Sequence, residues 1–244
     1  MTTMYDPDSR LIKTGPIAML LFVMVSSLFG PANFSGFWWL YGCLMALVFL
    51  YVVYMIFWCE SFTVFTLSLL SSFVFSFGFS AAGLAHVVLL SDLGFSGFEA
   101  GLVNAVLLSA VFAIYAIIYF SSSKLSPFRV SDDNRVSRVS ISSGGVSPLM
   151  ISGIGTLASA AFISSVSSLT SGVVAALGLF FSCVGLIIYE RHAISGLRTL
   201  RAQEKAMSTT YTFVQIEAIR EARSRWLLGR LFKWAFASRK SPDS

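Results

Sequence analysis

The chain has 244 residues, of which 56% are hydrophobic and only 12% charged, against about 45–50% and about 25% in a soluble globular domain. So few charges cannot cover a water-facing surface, which excludes a soluble enzyme and a disordered tail, and three cysteines exclude a disulfide-stapled secreted domain. The reading that fits is an all-α, polytopic membrane protein with a net charge of +5 and a bacterial inner (cytoplasmic) membrane as its expected location.

Residues 14–59, 61–91, 100–123 and 139–189 contain no Asp, Glu, Lys or Arg. A helix crosses a bilayer in about 20 apolar residues, so the longest runs hold two crossings each. After an N-terminal segment, 1–14, the first run divides at the turn formers of 30–36 into spans near 15–30 and 37–58. The third span is expected at 62–83 and the fourth at 98–120, completing a block of four helices in 15–120. Phe73, Phe75, Phe77 and Phe79 alternate as in a strand. Within a run this long only a helix satisfies the backbone in lipid.

Residues 121–147 read as a Ser- and Arg-rich flexible loop with Arg-Val-Ser triplets at 129–131, 135–137 and 138–140. The block 148–190 then supplies spans at 148–166 and 171–190, six in all. Small residues Ser171, Ala175, Gly178, Ser182 and Gly185 recur at steps of three and four. That stripe lets a neighbouring helix approach closely and is expected to be a packing face.

Of the 17 Lys and Arg residues, two precede the first span, four lie in 121–147 and eleven follow residue 190. Six crossings put all of them on one side, and the positive-inside rule makes that side, with both termini, cytoplasmic. The tail 191–244 reads as a basic amphipathic helix over much of its length. Arg220, Arg223, Arg225, Trp226, Arg230, Phe232, Lys233 and Trp234 mix cations with bulky rings, the pattern of a helix lying among anionic lipid headgroups or docking on a protein. No nucleic-acid module is recognisable. Deleting 209–244 is expected to leave the inserted helices intact.

Chemistry within the spans is sparse. Glu60 and Glu190 read as solvated helix ends. His86, Asp92 and Glu99 fall within the connection between spans three and four and match no metal spacing. Asn104 reads as a partner for a neighbouring helix. His86 and His192 fall on opposite sides, no intramembrane Asp pair or H-E-x-x-H occurs, and no cofactor motif is present. The expected function is therefore a non-enzymatic membrane interaction protein: a small subunit, accessory or immunity/exclusion-type factor acting through its basic tail. Its expected partners are anionic headgroups and a membrane or cytoplasmic protein, with a homo-oligomer also open. The alternative is a small channel or transporter lined by Ser/Gly faces, and the third reading an intramembrane enzyme using His86, Asp92 and Glu99.

Overall fold

A computed structural model describes residues 4–28, 37–121, 127–139 and 168–226. The expected span at 148–166 lies outside them. In chain order the described elements are α1 (Ser9–Leu28), α2 (Phe37–Phe57), α3 (Phe62–Ser91), α4 (Gly97–Phe120), β1 (Phe128–Val130), β2 (Arg135–Arg138), α5 (Ser168–Tyr189), α6 (Arg191–Met207), β3 (Thr212–Phe213) and α7 (Ile216–Arg225). Five of these, α1 to α5, are long and apolar enough to cross a membrane.

Helix α3 is the axis of the bundle. It packs on α1, α4 and α5, and its 30 residues extend about 45 Å at 1.5 Å per residue, beyond the ~30 Å of a hydrocarbon core. The expectation of 62–83 was short by two turns, so His86 sits within the helix rather than in a connection. Helix α1 runs parallel to α3, with Gly15 beside Leu69 and Phe22 against Phe73 and Phe77. Helix α4 runs antiparallel: Tyr115 bonds Ser71, Phe112 stacks on Phe75 and Val111 meets Gly78. Helix α5 is also antiparallel, with Gly172 at Val88 and the Cys183 thiol donating to the Val74 carbonyl. Its outward residues include Leu177, Phe181, Ile188 and Tyr189, an apolar exterior suited to lipid.

The purely all-α expectation is corrected by a three-stranded sheet at one end of the bundle. Strands β1 and β2 form an antiparallel hairpin, Phe128 opposite Arg138, and β2 pairs in parallel with β3, Val136 opposite Phe213. The flexible loop expected at 121–147 thus contains an ordered hairpin whose turn places Asn134 at φ 59°, a conformation asparagine tolerates better than most residues. Its apolar residues have a local core to bury into. Phe128, Val136, Tyr211, Phe213, Ile216 and Ile219 gather with Leu197 and Leu200 of α6, with Tyr5 and Ile12, and with Phe62 and Phe65 at the start of α3. Residues 4–12, 127–139 and 190–226 therefore build one cap over this end.

Candidate functional site

The cap is assembled on helix ends, where backbone groups lack intrahelical partners. At the C-terminus of α2, Arg223 is only 7% exposed, and its Nη2 donates to the carbonyls of Cys59 at 2.8 Å and Met55 at 3.3 Å. A cation belongs there, because the helix dipole places partial negative charge at a C-terminus. Burial holds the Arg223 guanidinium below its ordinary pKa and pushes the neighbouring Cys59 thiol up to about 11. At the C-terminus of α4, Arg198 Nη1 donates to Phe120 O at 2.7 Å and lies over the Phe120 ring.

At the N-terminus of α3 the sign reverses. Ser61 caps the helix by accepting the Val64 N–H, and the Glu204 carboxylate accepts the Thr63 hydroxyl and the Tyr211 N–H. Phe62 N–H then donates to Tyr211 O at 2.9 Å, stitching the tail to the first turn of α3. Tyr5, buried beneath the Arg138 guanidinium, donates its hydroxyl to Glu190 at 2.6 Å. Burial first, and then the Glu190 charge, raise the Tyr5 pKa.

Several residues expected on a lipid-facing helix are spent inside this construction. Arg220 makes a two-pronged pair with Glu60, at 2.9 and 2.7 Å. The hydrogen bond from Arg220 draws the Glu60 carboxyl below its usual range, and Glu60 in turn raises Arg220. Glu60 is thus an anchor for the tail rather than a merely solvated end. The expected long tail helix is broken: α6 ends at Ser208 in a left-handed conformation, φ 51°, and α7 begins after β3. Arg225 is exposed and pairs with Glu221. Trp226 is half-buried against Phe57, with Lys13 above its ring. Arg230, Phe232, Lys233 and Trp234 lie outside the described residues.

The expected enzyme trio is not brought together. Glu99 is exposed and occupied in a capping box, taking the Ser96 N–H and hydroxyl. Asp92 is the exposed C-cap of α3. His86 instead points into the bundle at 8% exposure. Among the described residues no three His, Cys, Asp or Glu side chains gather as for a metal ion.

The small-residue stripe is also placed differently from the expectation. The face of α5 that buries itself is Gly172, Ala176, Cys183 and Ile187. Gly178, Ser182 and Gly185 are exposed, Ala175 is half-buried, and the Ser171 side chain lies outside the described residues. Among the described residues nothing stands within 4 Å of a side chain added at Gly178 or Gly185. Sequence reasoning passed over another feature, the buried polar atoms that find no hydrogen-bond partner among the described residues. Ser76 Oγ, His86 Nδ1 and Asn104 Oδ1 are three of these within the spans. Such an atom costs about 1–3 kcal/mol.

The class defined by fold and site is therefore a helical integral membrane protein with a folded polar cap at one end. Comparisons with protein-family models, with curated proteins and with solved structures return no match.

Proposed function

We propose that this is a non-enzymatic membrane interaction protein of the cytoplasmic membrane, engaged by its partner at the cap and through the basic tail. The observation that carries the reading is charge placement: every Lys and Arg among the described residues belongs to the capped end, and cations collect on the cytoplasmic face. Connectivity supports six crossings. The hairpin leaves Val139 at the cap, where its N–H bonds Pro127 O, whereas α5 starts at the opposite end beside Val88. Both termini then share the cytoplasmic side.

Burial of Arg223 and the pairing of Arg220 with Glu60 move the proposed contact surface. The residues left for a protein or an anionic headgroup are the exposed cations of the hairpin and of α6, Arg129 and Lys205 among them, together with Arg225, Trp226 and the chain beyond. The experiment is site-specific photocrosslinking in cells, with the crosslinker at 129, 205 or 225 and, as a control, at 94. Discrete adducts from cap positions are expected, and those from 225 should disappear in the Arg129→Glu, Lys205→Glu double variant. Adducts from 94 alone, or from none of the positions, would overturn the reading.

A further inference from the structure

His86 and Asn104 occur on different helices, and the register of those helices brings them to the same level beside the α3–α4 contact. Phe75 and Val111 mark the contact between α3 and α4, through the Phe75–Phe112 stack and the Gly78–Val111 approach. His86 follows Phe75 by 11 residues and Asn104 precedes Val111 by seven. At 100° per residue Asn104 lies about 20° from Val111, toward Tyr115, and His86 about 20° from Phe75, at the edge of the face turned to α4. The antiparallel register that opposes Ser71 to Tyr115 and Gly78 to Val111 also brings Asn104 level with His86. Exposures are 8% and 7%, and His86 Nδ1 and Asn104 Oδ1 both lack a partner among the described residues.

Two unpartnered buried polar atoms at the same level of adjoining helices call for an occupant, since buried polar groups are satisfied by protein or by a bound molecule. The carboxamide oxygen only accepts, and Nδ1 accepts when the ring proton is on Nε2. We propose that His86 and Asn104 form a small intramembrane binding site for one molecule carrying at least two O–H or N–H donors: water, or a primary amine or ammonium ion of similar size. On the side toward the cap the interface is closed by Val111 against Gly78 and by the Phe75–Phe112 stack. His86 lies only five residues, about 7.5 Å of helix, from the end of α3, where the connection 92–96 is exposed. Entry is therefore from the uncapped face, and the site is a pocket rather than a conduit. The proposal is independent of the interaction reading above, because no cap residue takes part.

The chain has only two histidines, which makes the test selective. Full-length protein carrying His192→Gln and 15N-labelled histidine is placed in lipid nanodiscs, leaving His86 as the one imidazole observed. Expected is magnetisation transfer between water and the His86 ring nitrogens, or a saturable shift of Nδ1 on adding methylammonium chloride. Transfer without a saturable shift identifies water as the occupant, and a saturable shift identifies the solute. In Asn104→Leu and Asn104→Val the response should be lost, since one of the two acceptors that hold the occupant has been replaced by an apolar group. A dry Nδ1 insensitive to both probes would overturn the site. So would an Nδ1–H bonded directly to the Asn104 oxygen, or a response that survives both substitutions. Were both variants to unfold, the wet or dry state of His86 in the parent decides.

Discussion

Arg223 is a cation buried at a helix terminus with no carboxylate bonded to it among the described residues, and its two carbonyl acceptors take the place of a counter-ion. Hydrogen bonds to charged groups contribute about 1.5–3 kcal/mol each before desolvation is counted, and the lowered pKa of Arg223 reports that desolvation. Arg223→Ala is expected to destabilise the cap by about 1–3 kcal/mol, read as faster proteolysis of the 208–215 connection with unchanged membrane insertion. The Arg220–Glu60 pair is more exposed, 49% and 38%, so screening holds its contribution below about 1 kcal/mol. Its sign with pH is fixed by the lowered Glu60 pKa. Stabilisation is fully present above the ordinary glutamate value of about 4.3 and is lost as pH falls through the lower folded value. Acid titration of cap proteolysis should therefore show a component below about pH 4.3 that is absent in Glu60→Gln and weakened by salt.

At the scale of elements, close approach rather than small size marks the packed glycines. A Cβ on Gly172 would stand 2.6 Å from Val88 Cγ2, and one on Gly196 3.0 Å from Pro127 Cδ and 3.1 Å from Phe128 Cδ2. Gly172→Leu should lower the melting temperature in detergent more than Gly178→Leu. Equal losses would mean that the Gly178 face is covered by chain outside the described residues. Gly196→Ala should cost about 1–3 kcal/mol by prising α6 from β1, measured as cap unfolding. The periodicity that singled out Ser171 to Gly185 was present in the sequence, but a stripe of small residues records where a helix could be approached. Which side α3 occupies depends on Val74, Val88 and the other side chains it brings.

For the whole molecule, the described part of the tail belongs to the fold. Up to Trp226 it is a structural part of the cap, because Tyr211, Phe213, Ile216 and Ile219 are core residues. Truncation after 226 should leave the cap folded, whereas truncation at 209 should expose Phe62 and Phe65 and open the hairpin to proteases. Insertion of the helices, expected to survive the loss of 209–244, is a separate property from folding of the cap. Reporter fusions at 130 and 240 are expected to score cytoplasmic and a fusion at 94 external; opposite results at 130 and 240 would reject six crossings.

Helical, membrane-spanning character and the gathering of charge at one end were legible from composition and charge-free runs alone. Placing a charge in hydrocarbon is so expensive that its avoidance leaves a trace in local counting. Span limits at α2, α4 and α5 were legible for the same reason, within a few residues. The cap was not. Its contacts join Tyr5 to Glu190, Glu60 to Arg220 and Thr63 to Glu204, pairs separated by 185, 160 and 141 residues. No periodicity links such positions. An arginine that caps a buried helix end and one that meets a lipid phosphate look alike in a sequence, and the distinction is decided only by which backbone carbonyls the folded chain brings within reach.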